Sequence, residues 1–116
     1  MKSDSVTMSL LCDYYGELLT EKQRTCFDLY YNQDYSLAEI AQEEGISRQG
    51  VHDSIARAEG LLRHFEEKIG CVAREARVQQ ALEQISEAAH GLQLSGDAQV
   101  RALAETILRA ADSVKE

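Results

Sequence analysis

Proline is missing from all 116 residues, although average usage of about 5% would supply roughly six. Its absence removes the strongest helix breaker, and no cluster of β-branched residues is present to build strands. No apolar run approaches the ~18 residues needed to span a bilayer, so no membrane insertion is expected. The opening "MKSDSVTMSLLCDYY" lacks a basic region followed by an apolar stretch and a cleavage site, so no signal peptide is expected either. Cysteine is sparse: Cys12, Cys26 and Cys71 are odd in number, far apart and in no metal-ligand spacing. Free thiols in a reducing cytoplasm are the simplest expectation. Positive charge is also scarce, with 12 Lys and Arg against 20 Asp and Glu and a net charge of −8.

What is present favours helices. Ala, Leu, Glu, Gln and Arg dominate, and 44% of residues are apolar, enough for a core. An all-α fold follows. A first helix is expected over about Ser5 to Leu18, with Met8, Leu11, Cys12, Tyr15 and Leu18 on one stripe and Gly16 weakening the last turn. Thr20 with Gln23, and Ser36 with Glu39, have the spacing of capping boxes, in which each side chain bonds the other residue's backbone N–H. They open a second helix, about Glu21 to Asn32, and a short third one carrying Leu37, Ile40 and Ala41. Ser47 caps a fourth, on which Val51, Ile55, Ala58, Leu62, Phe65 and Ile69 repeat at three and four up to Gly70. Residues 1–70 thus read as one four-helix domain.

Beyond Gly70 the sequence is Ala-rich and contains no aromatic residue. Two helices are expected in residues 71–116, about Val72 to His90 and Asp97 to Val114, joined by "GLQLSG" as an antiparallel hairpin. Their apolar positions are Val72, Ala76, Leu82, Ile85 and Ala89, then Val100, Leu103, Ala104, Ile107, Ala111 and Val114. Either docking onto the first four helices or pairing with a second copy would cover them, and a homodimer is expected.

The stretch "EIAQEEGISRQGVHDSI" meets the demands of a helix-turn-helix. Ala41 is small where two helices cross, Gly45 turns the chain, and Ile46 anchors the turn. Val51 and Ile55 lock the second helix, and Ser36 and Ser47 cap the pair. The second helix then presents Arg48, Gln49, His52, Asp53 and Arg57 outward. Arg and Gln suit guanine and adenine edges, and Ser47 suits a phosphate. Shape alone does not establish DNA binding. Residues 1–70 hold seven basic and thirteen acidic side chains, a net of −6. Arg48 and Arg57, with Lys22 and Arg24 on the preceding helix, are the only local source of positive charge, and they could instead pair with neighbouring acids. Phosphate neutralisation supplies most non-specific affinity, so a monomer should bind DNA weakly and a dimer better. Asp53 is an awkward neighbour for phosphate, and Gly50 is costly in a helix unless something approaches it closely.

From Leu18 to Leu62 the chain closely resembles the YlxM family of small bacterial proteins, whose helix-turn-helix is similar to region four of sigma factors. The resemblance is carried by Leu19-Thr20, Lys22-Gln23, Tyr30-Tyr31, Asp34 to Leu37, Glu39 to Ala41, Ser47 to Gln49, Val51, Asp53, Ile55 and Arg57. Gly50, His52 and Ser54 depart from it, standing where Ala, Tyr and Asn would be expected. The resemblance implies a cytoplasmic, non-enzymatic protein that acts in or regulates the signal recognition particle pathway, with that particle's GTPase or its RNA as partner. A sequence-specific DNA-binding regulator and a purely structural dimerisation or adaptor module are the alternatives.

No catalytic arrangement is legible. His52, His64 and His90 have no metal spacing, Glu43-Glu44 and Glu66-Glu67 diverge on their helices as solvated faces, and there is no phosphate-cradling glycine loop. Cys12 and Cys26 read as buried small hydrophobes, and the five tyrosines as core and corner residues. No cofactor or metal is expected.

Overall fold

The computed structural model describes residues 4–115, which form six α-helices and one 3-10 turn, with no strand among the described residues. The chain divides into two compact units, the first ending at Val72 and the second starting at Ala73. The outermost bounds expected from sequence, residues 1 and 116, lie outside the described residues.

In the first unit α1 (Ser5–Tyr15) starts where the Asp4 carboxylate accepts from the backbone N–H groups of Val6 and Thr7. It stops earlier than the apolar stripe implied. Gly16–Leu18 tighten into a 3-10 turn, and Leu19 is already extended (φ −81°, ψ 156°). The expected buried position therefore moves by one: Leu18 is 59% exposed, whereas Leu19 turns inward and is buried. A Cβ at Gly16 would lie 2.9 Å from Cys12 Sγ, so a larger residue would have to displace that thiol.

Helix α2 (Glu21–Tyr31) opens with the Thr20–Gln23 capping box and buries Cys26, Phe27 and Tyr31. After Asp34, in the left-handed region (φ 60°), the Ser36–Glu39 box opens α3 (Leu37–Glu44). Ser36 Oγ accepts from the Glu39 N–H at 3.1 Å, and Glu39 Oε1 accepts from the Ser36 N–H at 3.0 Å. The Ser36 backbone N–H, then its side chain, hold the Glu39 carboxyl below its ordinary pKa. Ser36→Ala is expected to cost about 1 kcal/mol in urea unfolding. A lowered pKa places the carboxylate's contribution above the ordinary glutamate value of about 4.3 and removes it as pH falls through the folded value. Glu39→Gln, which keeps the acceptor, should flatten this acid limb of the stability–pH curve and leave neutral stability nearly unchanged.

Gly45 ends α3 in the left-handed region (φ 67°), where a residue without Cβ is favoured, and both Gly45 and Ile46 donate to the Ala41 carbonyl. The chain then enters α4 (Arg48–Ile69), the central helix, which packs against α1, α2 and α3. Its buried stripe is Val51, Ile55, Ala58 and Leu62, with Phe65 half-buried. Ile69 departs from the expected stripe at 56% exposure, whereas Cys71 and Val72, beyond the Gly70 turn, pack against the core.

That turn is held by contacts between residues far apart in sequence. The Tyr15 hydroxyl donates to Glu66 Oε1 at 2.6 Å and accepts from the Cys71 N–H at 2.9 Å; Glu66 Oε1 also accepts from the Val72 N–H at 3.0 Å. Two free first-turn N–H groups of α5 (Cys71–Leu92) are thereby capped by side chains of α1 and α4. Glu66 is thus a half-buried structural acceptor and not the solvated carboxylate expected from sequence.

The second unit contains the rest of α5, a turn over residues 93–97, and α6 (Ala98–Lys115). Asp97 opens α6 by accepting from the Gln99 N–H at 2.8 Å. The buried residues of this unit are three alanines, Ala89, Ala104 and Ala111. The other expected core positions are only partly covered: Ile85 is 46%, Leu103 62% and Val114 60% exposed, and Ala76 is exposed as well. Among the described residues no helix is long and apolar enough to cross a membrane.

Candidate nucleic-acid interface

The helix-turn-helix holds α4 by its buried side, so the opposite side faces outward. At 100° per residue, Val51, Ile55, Ala58 and Leu62 share one side, all buried, and Arg48, Gln49, His52, Asp53, Ala56, Arg57 and Gly60 share the other, all exposed. The expected site residues are therefore brought onto one face, but not as equals. Gln49 lies near its centre line with Ala56 and Gly60, flanked by His52 and Asp53. Arg48 and Arg57, nine positions apart, form its two borders, about 180° apart around the axis and about 13.5 Å apart along it. Small residues along the centre let a ligand approach the helix closely. Cations at the borders suit the two walls of a nucleic-acid groove.

Both arginines are available. Among the described residues neither Arg48 nor Arg57 is tied to a carboxylate, so the ion pairing open on sequence grounds does not occur. Asp53 is engaged instead: its Oδ1 accepts from Gln49 Nε2 at 2.9 Å and lies 3.4 Å from His52 Nδ1. A carboxylate accepts only from the amide nitrogen, so this bond fixes which way the Gln49 amide points and leaves Oε1 free. The acidic residue that looked awkward in the sequence orients the central polar side chain of the face.

Ser47 Oγ accepts from the Gly50 N–H at 2.9 Å, so one of its two lone pairs is used by the cap and its hydroxyl proton remains to donate to a phosphate. The same contact brings the cap close to Gly50. A Cβ there would lie 3.1 Å from Ser47 Oγ, so what approaches this glycine closely is the helix's own cap.

Beside the face lies a depression of about 140 Å³ lined by Tyr30, Leu37, His52, Ile55, Ala56 and Glu59. A second hollow, lined by Leu37, Arg48, Gln49 and His52, adjoins it through Leu37 and His52. Sequence reasoning missed Ala56, Gly60 and Glu59 here, although the spacing 52, 56, 60 carries the first two. Glu59 is located by a long-range bond, accepting from the Tyr31 hydroxyl at 2.9 Å. Arg24 does not join the patch: it lines a separate hollow with Asp13 and Asp28 of α1 and α2, which offset its charge.

Tyr15 and Tyr31 are buried and Tyr30 and Tyr35 half-buried, whereas Tyr14 is 42% exposed. All three cysteines are free. Burial pushes the Cys26 and Cys12 thiols up, although Cys12 is half-buried rather than buried. Among the described residues no group of three or more His, Cys, Asp or Glu is placed to hold a metal ion.

Known proteins match this sequence. The model of the UPF0122 family, helix-turn-helix proteins described as "YlxM / p13 like", matches residues 2–100. A UPF0122 protein of Thermoanaerobacter pseudethanolicus is 51% identical over 85 residues, 73% of each chain. One from Caldanaerobacter subterraneus is 48% identical over 87 residues, 75% of this chain and 74% of the relative. One from Symbiobacterium thermophilum is 45% identical over 92 residues, 79% of this chain and 86% of the relative. A matched helix-turn-helix, seated on α1 and α2 as described above, and relatives of this similarity lead to one conclusion: the chain belongs to the YlxM/p13-like family of helix-turn-helix proteins.

Proposed function

We propose that this chain is a non-enzymatic cytoplasmic regulator that binds nucleic acid through the exposed face of α4. Arg48 and Arg57 contact phosphates on either side of a groove. Ser47 donates to a phosphate at the helix start, where the positive end of the helix dipole adds attraction. Gln49 and His52 reach base edges between them. The observation that carries this reading is the unpaired state of both border arginines, among the described residues, on a face where Asp53 is committed to Gln49 and His52.

The regulated machinery is the signal recognition particle, with its RNA meeting the α4 face and its GTPase meeting the acidic remainder of the first unit. This finer placement rests on the YlxM resemblance and on the net charge of −6 over residues 1–70, which favours encounter with a basic protein. A DNA-binding regulator uses the same face and differs only in ligand.

The test is a fluorescence-anisotropy titration of labelled mixed duplex DNA and of the particle's RNA at about 50 and 200 mM salt. Saturable binding is expected at the lower salt. Arg48→Ala with Arg57→Ala should weaken it at least about tenfold and flatten the salt slope by about 2. Both side chains are exposed, so thermal unfolding should not change. Absence of binding to either ligand at low salt would overturn the reading, and undiminished binding by the double variant would remove α4 from it. The preferred ligand separates the RNA and DNA versions.

A further inference from the structure

The apolar face of α6 is wider than what covers it. Around the helix, apolar side chains fill a sector of about 160°, from Ala110 through Leu103, Val114, Ile107 and Val100 to Ala111, Ala104 and Leu108. One edge is covered, with Ala104 fully and Ala111 almost fully buried. The other edge is open: Leu103 is 62%, Val114 60% and Ile107 37% exposed. Positions 100, 103, 107, 110 and 114 also keep the three-and-four spacing of a coiled-coil seam over two heptads, about 21 Å of helix.

The open edge carries no charge. Arg101, Glu105, Arg109 and Asp112 all fall on the far side of the helix, where their charges cancel. The residues flanking the seam are Gln99, Thr106 and Ser113. Two of these are already satisfied: Thr106 Oγ1 donates to the Ala102 carbonyl at 3.2 Å and Ser113 Oγ to the Ala110 carbonyl at 2.7 Å. A partner of opposite charge has nothing here to recognise. A membrane-surface helix would carry a Lys/Arg-rich polar face, which α6 lacks. Two identical seams, by contrast, meet without like-charge repulsion and without burying an unsatisfied hydroxyl. A unit this small, with only alanines buried, also falls in the class that oligomerisation commonly stabilises.

We infer that the open edge of α6 is a self-association seam, on which Leu103, Ile107 and Val114 pack against the same residues of a second copy. Two copies double the sparse α4 cations, but the inference stands independently of the nucleic-acid reading. Most of α6 lies beyond the residues that the family model matches, so the seam is a property argued for this chain alone.

Sedimentation equilibrium of the full chain between about 1 and 200 µM tests it; a seam of two heptads is at the weak end of specific interfaces and should give a micromolar dimer. The mass should rise toward twice that of one chain, and Leu103→Glu with Ile107→Glu should keep it at one. Ile107→Cys, at the seam's midpoint, should form an interchain disulfide on mild oxidation whether the helices run parallel or antiparallel, while the wild type with its three native cysteines does not. Circular dichroism checks that each variant remains helical. A monomer throughout the concentration range overturns the inference. So does a dimer that survives the double Glu substitution and gives no interchain disulfide in the Ile107→Cys variant.

Discussion

Phe27→Ala is expected to lower the unfolding free energy by about 3–5 kcal/mol. Phe27 has no exposed surface and stacks on Tyr31 with ring centroids 4.5 Å apart. It belongs to the same buried cluster as Met8, Ile40, Val51 and Leu62. Truncation removes the transfer energy of a whole ring and leaves a cavity among residues drawn from all four helices. Domains of this size hold only about 5–15 kcal/mol in total, so the variant should be partly unfolded at modest urea. The chain lacks tryptophan, and loss of helical circular dichroism is the appropriate signal. Leu18→Ala is the control: that side chain is exposed, and its removal should change stability by no more than about 0.5 kcal/mol. Similar losses for the two variants would mean that α1 continues through Leu18 as the apolar stripe suggested.

Tyr15→Phe is expected to cost about 1–3 kcal/mol although it removes a single oxygen. The ring can stay buried, but the Cys71 N–H loses its acceptor and Glu66 loses a donor at 2.6 Å. The effect should carry a pH signature. Burial first, and the hydrogen bond to the Glu66 carboxylate second, push the phenol up to about 12. In the unfolded chain it titrates near 10. Above that pH the unfolded chain releases a proton that the folded chain still holds, so the stabilisation is complete below pH 10 and is lost as pH rises through about 12. The stability difference between wild type and Tyr15→Phe should therefore narrow over that window in urea titrations. A constant difference would show that the hydroxyl is not held as a neutral donor to Glu66.

The contrast between these two residues shows where sequence reading works. Phe27 sits on a stripe visible in α2, and burial follows from periodicity. Nothing in the sequence links Tyr15 to Glu66, 51 positions away, or to the start of α5. The α4 face divides in the same way. Spacing alone placed Arg48, Gln49, His52 and Arg57 outward. The Gln49–Asp53 bond is a local four-residue pair whose side chains could equally have faced other partners, and the freedom of the arginines depended on what the remaining helices placed around them.

The sequence by itself determined where α2, α3 and α4 begin, where α3 turns into α4, and that these two form a helix-turn-helix. Thr20 with Gln23, Ser36 with Glu39, Ser47 with Gly50 and the left-handed Gly45 each satisfy backbone groups within one turn of themselves, so their geometry needs no distant partner. Only the tertiary structure decided which apolar residues are covered. Leu19 rather than Leu18 turns inward, Cys71 and Val72 pack on the core while Ile69 does not, and Ala104 and Ala111 of α6 are buried while Leu103 and Val114 stay open. Periodicity gives a side chain its direction around the helix axis, but burial depends on what the rest of the chain brings against that direction.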